Sequence, residues 1–191
     1  MSLEAKILYI QTAADKNFRM ILNSQWSSKN LNYRQDIRAC MSTQFSYHFS
    51  REQLAKLNDL NWLPEASDGY FSISHCKSLG GFVFSEFKNG FDVEETERIS
   101  QDILKRTSGE TEYNESPRPE FLWVAKESGF KALSSLHANL VISDLICASW
   151  ESHFENQVFS FRLKSQKTLD FGLNKGFIFS DGPFLFSTFL K

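Results

Sequence analysis

The alternation of apolar and polar residues predicts strands at the start and in the middle of the chain. Lys6 to Gln11 contains a short apolar run that indicates an opening strand. Tyr70 to His75 and Gly81 to Phe87 alternate as half-buried strands do, and we expect these two to pair. Asn89-Gly90 is a typical turn dipeptide, so we expect a tight reversal before a strand at Phe91 to Glu94.

The chain after about Trp150 has the pattern of strands again. Val158 to Leu163 alternates between apolar and polar residues. Phe177 to Ser180 and Phe184 to Leu190 flank Asp181-Gly182-Pro183, whose residue types favour a turn. The end of the chain is therefore predicted to form a hairpin beside another strand.

Helical spacing of apolar residues is present between the first two groups of strands. Gln35 to Phe49 mixes polar and apolar residues at this spacing. Ser50 and Gln53 have the spacing of a capping box, which predicts a second helix that extends to about Leu60. The polar stretch from Asn58 to Asp68 is then expected to be a loop.

Two further helices are predicted around a polar segment in the second half of the chain. Arg98 to Arg106 is the first, and Thr107 to Pro119 is rich in loop-forming residues, so it is expected to be a mobile loop that could cover a site. Pro119 suits the first turn of the second helix, where its missing N–H is harmless. The inner face of this helix is predicted to consist of apolar residues: Leu122, Ala125, Phe130, Leu133 and Leu136.

These elements together predict a mixed α+β fold with antiparallel hairpins. A chain of 191 residues is long enough for one sizeable core or for two small, closely packed halves. The sequence contains no evident repeat and no low-complexity tract.

Charge and cysteine content narrow the functional classes. A formal net charge of −2 and a pI near 6.1 argue against a dedicated nucleic-acid binder. Cys40, Cys76 and Cys147 are odd in number and widely spaced, so neither a disulfide framework nor a zinc site is indicated. The N-terminus lacks the apolar core of a signal peptide, and no apolar run approaches the length of a bilayer span. We therefore expect a soluble protein of the reducing cytoplasm.

Two acidic motifs indicate phosphate chemistry. Asp92 and Glu94 are two residues apart in a predicted strand, so their side chains leave the same face and can reach one cation. Glu127 and Lys131 are four residues apart in a predicted helix and lie on one stripe. Mg2+ prefers oxygen ligands and commonly combines a few carboxylates with substrate phosphates.

Each of these signals has an ordinary explanation when it is taken alone. An Asp-x-Glu pair at the edge of a strand is usually a solvated acidic face. A glutamate and a lysine four residues apart in a helix are a common surface pair, worth about 0.2 to 0.5 kcal/mol. His75 on an alternating strand would more often be a hydrogen-bonded structural residue. Only the joint occurrence of the motifs, in one order, favours a functional site.

The motifs resemble those of the 4'-phosphopantetheinyl transferase superfamily, in its longer, surfactin-synthetase-activating type. Gly90-Phe91-Asp92-Val93-Glu94 is similar to the Gly-x-Asp-x-Glu strand of that superfamily. The segment from Trp123 to Lys131 matches its helix pattern, Trp-x-x-Lys-Glu-Ser-x-x-Lys. Phe71 to His75 resembles the Ser-His strand that lies upstream in the longer type. The resemblance covers about residues 70 to 131.

The resemblance implies a fold and a reaction. The expected fold has two similar α/β halves in one chain, approximately 1–90 and 91–191, related by a pseudo-twofold axis, with antiparallel sheets that each pack on a long helix. The expected reaction is Mg2+-dependent transfer of the 4'-phosphopantetheine arm of coenzyme A to a serine hydroxyl of an apo acyl or peptidyl carrier protein. Adenosine 3',5'-bisphosphate is released. Mn2+ is an alternative ion, and the enzyme is expected to act as a monomer.

The resemblance also assigns roles to individual residues. Asp92, Glu94 and Glu127 are the expected metal ligands, Glu94 either directly or through water. Glu127 is also the expected general base, or it orients a water that acts as the base. Lys131, and with less support Lys126, would pair with the pyrophosphate.

Three further residues are expected to bind coenzyme A. His75, together with the adjacent Ser74, resembles the family position that contacts the 3'-phosphate. Arg38 lies where the family often has another phosphate-binding arginine. The chain has Trp62-Leu63-Pro64 where the family often has a Gly-Lys-Pro segment, so the nucleotide contacts of that segment are not carried over.

Two other functions remain open at the level of sequence. One is a protein that binds coenzyme A without transferring its arm and acts as a sensor or as a scaffold for a carrier protein. The other is a different Mg2+-dependent enzyme that acts on a pyrophosphate-containing substrate, because a metal and lysines do not identify the acceptor.

Overall fold

The computed structural model describes residues 1–14, 17–61, 64–167 and 169–191, which form six α-helices and eight strands. The helices are α1 (Leu3–Ala14), α2 (Tyr33–Gln44), α3 (Arg51–Lys56), α4 (Gln101–Thr107), α5 (Glu110–Glu115) and α6 (Pro119–Leu133). The strands are β1 (Arg19–Asn23), β2 (Tyr70–His75), β3 (Gly80–Ser85), β4 (Asn89–Glu95), β5 (Leu145–His153), β6 (Val158–Ser165), β7 (Lys175–Asp181) and β8 (Phe184–Leu190).

The strands form two antiparallel sheets, which confirms the predicted α+β class. The first sheet has the order β1-β3-β2, and the second has the order β4-β8-β7-β6-β5. Helix α6 packs across β4 and β8 of the larger sheet, and α2 lies against the smaller one. The predicted pairing of β2 with β3 and the C-terminal hairpin of β7 and β8 are both confirmed.

The two sheets meet where β2 lies beside β4, and there side chains connect the strands. The backbone N–H of Phe91 donates to Ser72 Oγ at 2.8 Å, and the N–H of Val93 donates to Ser74 Oγ at 3.3 Å. Both strands are sheet edges, whose unpaired backbone groups need other partners. The serine hydroxyls of β2 therefore satisfy edge amides of β4 and place the two strands side by side.

The predicted opening strand is wrong, because Lys6 to Gln11 lies within helix α1. A short apolar run does not distinguish a strand from a helix, and the tertiary contacts decide here. Ile10 is completely buried, and Lys6 Nζ donates to Asp181 Oδ1 at 2.9 Å and to the carbonyl oxygen of Ser180 at 2.8 Å. These contacts fix α1 against the end of β7.

The predicted turn at Asn89-Gly90 is also wrong, because both residues belong to strand β4. Asn89 is buried, and its side-chain amide donates to the carbonyl oxygens of Tyr70 and Phe87 at 2.8 and 3.2 Å. A Cβ on Gly90 would collide with the carbonyl oxygen of Ser128 in α6. Close packing of strand on helix explains this glycine, and the chain reverses before it, over residues 86–88.

The helix predictions are largely confirmed, with shifted ends. Ser50 and Gln53 form the predicted capping box, although α3 ends at Lys56. Pro119 opens α6 as predicted. The predicted inner face of α6 is only partly buried, because Phe130 is half-buried and Leu136 lies beyond the helix and is exposed.

The predicted mobile loop at Thr107 to Pro119 contains helix α5. Glu112 in this helix is only 4% exposed. Glu112 thus anchors the segment to the body of the protein, although residues 109–111, 114, 115 and 117 are exposed. Across the described residues, no helix combines the length and the apolar character that crossing a bilayer requires.

Candidate functional site

A cavity of about 610 Å³ lies between the two sheets, with β2, β4, α2 and α6 contributing to its walls. It brings together seven of the eight site residues predicted from sequence: Arg38, Ser74, His75, Asp92, Glu94, Glu127 and Lys131. The eighth, Lys126, does not line it. Residues from three separate motifs therefore converge on one space, although they are far apart along the chain.

Asp92 and Lys131 form the best-defined contact of the cavity. Lys131 Nζ donates to Asp92 Oδ1 at 2.7 Å, to Ser74 Oγ at 3.0 Å and to the carbonyl oxygen of Phe91 at 3.0 Å. Ser74 Oγ in turn donates to Asp92 Oδ1 at 2.8 Å. An ammonium group has three protons, so Lys131 is fully satisfied in this conformation.

Glu94 lies on the same face of β4 as Asp92, and Arg98 partly neutralises its negative charge. Its Oε1 accepts hydrogen bonds from Arg98 Nη1 at 3.2 Å and from the backbone N–H of Glu95 at 2.9 Å. Burial raises the pKa of Glu94, and that backbone N–H and Arg98 act in the opposite direction. The carboxylate thus faces the cavity with its second oxygen uncommitted among the described residues.

Glu127 is the least neutralised carboxylate of the three. It lies on α6 one turn before Lys131 and accepts no hydrogen bond from the described residues. Burial raises its pKa, and the negative charge of Asp92 raises it further, whereas Lys131 lowers it. A carboxylate with a raised pKa is a better proton acceptor once it is ionised, and a nearby cation would stabilise its ionised form.

The part of the cavity around His75 and α2 is aromatic and basic. The rings of His75 and Tyr33 are stacked, with centroids 4.2 Å apart and an interplanar angle of 28°. Burial lowers the pKa of His75, and the positive charges of Lys131 and Arg34 lower it further. Arg38 lies deeper and donates to the carbonyl oxygens of residues 57, 59 and 60 at 3.0 to 3.3 Å. Burial also lowers the pKa of Arg38.

The prediction that Lys126 binds pyrophosphate disagrees with its position. Its side chain has no exposed surface, and Nζ donates to Glu112 Oε2 at 2.9 Å and to the carbonyl oxygen of Thr107 at 2.5 Å. Glu112 also accepts from the backbone N–H groups of Gly109 and Cys147 at 3.1 and 2.8 Å. Lys126 therefore anchors α5 and β5 to α6 and points away from the cavity.

The small residues of the two motifs have a structural role. Gly90 allows β4 to approach the backbone of α6 at Ser128, and a Cβ on Gly129 would collide with the side chain of Leu163. Ser128 is fully buried, and its Oγ lies 2.8 Å from Ser187 Oγ of β8. These contacts hold strand and helix close together, which brings Asp92 and Lys131 within hydrogen-bond distance.

The three carboxylates have the chemistry of a Mg2+ site but do not form a complete one. Within the described ranges, no three histidine, cysteine or carboxylate side chains are grouped so that they could hold a metal ion by themselves. Mg2+ commonly uses only one or two protein carboxylates and takes its remaining ligands from water and substrate phosphates. Asp92, Glu94 and Glu127 supply hard oxygen ligands in one cavity, and Asp92 and Glu94 both raise the pKa of Glu127 through their charge. The donor set therefore fits a magnesium ion that binds together with a phosphate-bearing ligand.

Sequence reasoning missed three residues of the site. Tyr33 and Arg34 line the cavity beside His75, and Arg98 pairs with Glu94. A signal for Arg34 exists, because it is four residues before Arg38 and thus on a similar face of α2. Arg98 likewise follows Glu94 by four residues, but it lies beyond the end of β4, and a four-residue spacing predicts proximity only within a helix.

Models of known protein families gave no match to this chain, and a search of curated proteins also found no similar one. The functional interpretation therefore depends on the motifs and on the geometry of the cavity. That geometry combines an acidic region, which suits a hard cation, with a basic and aromatic region, which suits an anionic ligand. Such a combination suits a ligand that carries more than one phosphate group.

Proposed function

We propose that this protein is a Mg2+-dependent 4'-phosphopantetheinyl transferase. It would move the phosphopantetheine arm of coenzyme A to a serine hydroxyl of an apo carrier protein and release adenosine 3',5'-bisphosphate. The observation that carries this proposal is the convergence of the three motif segments on one cavity. Asp92 and Glu94 from β4 meet Glu127 and Lys131 from α6, with Ser74 and His75 of β2 alongside.

The proposal assigns the acidic region to a magnesium ion. Asp92 and Glu127 would hold it, with Glu94 as a third ligand, direct or through water. When bound, the ion would neutralise the negative charge that the pyrophosphate carries and develops during transfer. Because Asp92 now pairs with Lys131, the lysine would have to exchange this carboxylate for a phosphate oxygen of the substrate.

Glu127 is the proposed proton acceptor for the attacking serine. The serine oxygen forms a bond to the phosphorus that carries the pantetheine arm, and the bond from that phosphorus to the bridging oxygen of the pyrophosphate breaks. The serine proton passes to Glu127, directly or through a water molecule. Burial and the charge of Asp92 raise the pKa of Glu127 when no cation is bound, whereas a Mg2+ ion that Glu127 helps to hold would favour its ionised, proton-accepting form.

The architecture supports the expected two-half fold without establishing its symmetry. The smaller sheet packs against α2 in the first half of the chain, and the larger sheet packs against α6 in the second half. The cavity lies at the junction of the sheets, where an active cleft between two halves is expected. The sheets differ in size, with three and five strands, so the pseudo-twofold relation stays a prediction.

Intact mass spectrometry of an apo acyl carrier protein tests the proposal directly. The carrier is incubated with this protein, coenzyme A and Mg2+, with an EDTA control. We expect a gain of one phosphopantetheine mass that EDTA prevents. Glu127→Gln should abolish the gain, and Glu120→Gln, a matched change in the first turn of the same helix, should leave it intact.

Two results would contradict the proposal. Failure to modify any of several fatty-acid and peptidyl carriers, despite measurable binding of coenzyme A, would favour a non-transferring sensor or scaffold. Hydrolysis of coenzyme A without an acceptor protein would favour a different Mg2+-dependent enzyme.

A further inference from the structure

The face of the larger sheet that α1 covers continues beyond the end of that helix. Ile10 of α1 packs in one core cluster with Phe177 and Phe179, whereas Ile178 faces α6 on the other side of the sheet. Where α1 ends, at Ala14, an open depression of about 250 Å³ begins. The sheet therefore has a stretch of surface, remote from α6, that no described element covers.

The lining of this depression combines apolar and basic residues, and no described carboxylate belongs to it. Three of the apolar and three of the basic residues matter here: Phe87, Leu173, Leu190, Arg162, Lys175 and Lys191. We call these six, together with Lys88 and Lys164, the basic apolar surface.

Two large apolar side chains at the rim are open to solvent. Leu173 is 88% exposed and belongs to the connection between β6 and β7, and Phe87 is 50% exposed and belongs to the connection between β3 and β4. One exposed apolar residue is ordinary on a protein surface. These two come from separate connections and line the same depression, which is typical of an interaction surface.

Buried asparagines hold both connections in place. Asn174 accepts a hydrogen bond from the backbone N–H of Leu163 at 2.9 Å and donates to its carbonyl oxygen at 3.2 Å. Asn89 donates to the carbonyl oxygen of Phe87 at 3.2 Å. A hydrogen-bonded backbone thus presents Leu173 and Phe87 to solvent.

The cations lie around these two side chains. Lys175 and Leu190 are register partners in β7 and β8, so they are neighbours on one face of the sheet. Arg162 and Lys164 are two residues apart in β6 and leave that strand on the same side. Lys88 directly follows Phe87 in the sequence.

None of the five cations of the basic apolar surface forms an ion pair within the described part of the chain. The acidic residues of the two connections have other partners, because Glu86 accepts from Asn17 and Asp170 accepts from the N–H of Gly172 at 2.7 Å. The surface is therefore locally positive, although the whole chain has a formal net charge of −2.

We propose that the basic apolar surface binds an anionic lipid membrane. Leu173 and Phe87 would enter the interfacial layer, and the lysines and Arg162 would lie among the negatively charged headgroups. A fluid lipid surface can adapt to two side chains that project from separate connections. A protein partner would need a matching shape, and this shallow, open depression offers little to match. The inference does not depend on the reaction in the cavity.

Co-sedimentation with vesicles tests this inference. The wild-type protein should bind vesicles of equal parts phosphatidylcholine and phosphatidylglycerol at least about tenfold more tightly than vesicles of phosphatidylcholine alone, and added salt should weaken that binding. Leu173→Ser should lower the affinity for the anionic vesicles by about tenfold, since an inserted leucine is lost. Lys175→Gln should lower it by about fivefold, the contribution of one basic residue near a charged membrane.

Leu31→Ser and Lys29→Gln are the matched controls, because both residues are exposed and neither lines the depression. They should leave the affinity unchanged. Equal binding to both kinds of vesicle, binding to neither, or an undiminished affinity in Leu173→Ser would overturn the inference. Thermal unfolding verifies that each variant is folded.

Two further measurements separate this inference from its alternatives. Binding of polyglutamate that Lys175→Gln weakens, without binding of vesicles, would point to an acidic protein partner and overturn the lipid surface. Transfer to a carrier protein should proceed at the wild-type rate in Leu173→Ser. Binding of anionic vesicles without transfer would contradict only the proposed function, and transfer without binding of vesicles would contradict only this inference.

Discussion

Helix α6 carries two lysine–carboxylate pairs that are alike in chemistry and opposite in surroundings. Lys126 pairs with Glu112 at 2.9 Å, and the two side chains are 0% and 6% exposed. Lys131 pairs with Asp92 at 2.7 Å, with exposures of 30% and 10%. The first pair is enclosed between α5, α6 and β5, whereas the second opens into the cavity.

The difference separates a structural ion pair from a candidate functional one. The partners of Lys126 are protein groups on every side, so a ligand has no access to it. Lys131 has protein partners too, but its side chain is 30% exposed and lines the cavity, so a ligand that enters the cavity can reach it. Two lysines of one motif, five residues apart, thus serve different purposes because they leave α6 on different faces.

The largest effect is expected from breaking the enclosed pair. Lys126→Met leaves the Glu112 carboxylate buried without its cation, and loss of one partner of a buried pair typically costs about 3 to 5 kcal/mol. Urea unfolding of the variant should show this loss in the free energy of unfolding. A loss below about 1 kcal/mol would mean that the pair is not enclosed as described.

Breaking the open pair should reduce activity far more than stability. Lys131→Met removes the partner of a carboxylate that lines the cavity, where water can replace the ammonium group, so the free energy of unfolding should fall by less than in Lys126→Met. Transfer to a carrier protein should fall by about 10²-fold or more, as it does when one stabilising donor is removed from an active site. Kinetics by mass spectrometry measure this, and near wild-type transfer would remove Lys131 from the proposed mechanism.

The two lysines should also differ in their effect on His75. The positive charge of Lys131 contributes to the lowered pKa of His75, after burial itself. Removal of a positive neighbour favours the protonated imidazole, so Lys131→Met should raise this pKa toward its ordinary value. An NMR titration of the imidazole measures the change, with Lys126→Met as the control that leaves the pKa where it is.

The same shift predicts how stability depends on pH. A histidine whose pKa is lower in the folded than in the unfolded state binds fewer protons when the protein is folded. Its favourable contribution to the free energy of unfolding is therefore complete above about pH 6.5 and declines as the pH falls below that value. Lys131→Met should weaken this decline, which urea unfolding between neutral and mildly acidic pH would detect. An identical decline in wild-type and variant would show that Lys131 does not influence His75.

The smallest effect is expected from an ordinary surface pair. Lys56 and Glu52 are 2.7 Å apart and four residues apart in α3, with side-chain exposures of 52% and 79%. Lys56→Met should change the free energy of unfolding by about 0.5 kcal/mol or less and should leave transfer unchanged. A larger loss would show that proximity, rather than burial, explains the effect at Lys126.

The sequence predicted local features well where the partner groups are close along the chain. The capping box of Ser50 and Gln53, the Pro119 helix start and the β7–β8 hairpin all depend on neighbours a few residues apart, and all are present. The shared face of Asp92 and Glu94 follows from strand geometry alone, and both residues line the cavity.

Features that depend on distant partners were predicted poorly. Helix α1 is stabilised by contacts of Lys6 with β7, more than 170 residues away in the chain, which a local pattern does not contain. The burial of Lys126 depends on Glu112, which lies in a segment whose composition is typical of a loop. Gly90 indicated a turn because glycine is common in turns, whereas here it leaves room for α6.

The serine contacts between β2 and β4 also constrain the length of the chain between the two strands. Ser72 and Ser74 are two residues apart, as are their partners Phe91 and Val93, so the alignment of the strands holds in one register only. Strand β3 lies between them in the sequence, and only residues 86–88 connect it to β4. A deletion in this three-residue connection would shift Asp92 relative to Ser74 and Lys131, whereas an insertion can extend into solvent, because residues 86 and 87 are exposed. Shortening should therefore be tolerated poorly there, although the segment itself contains none of the site residues.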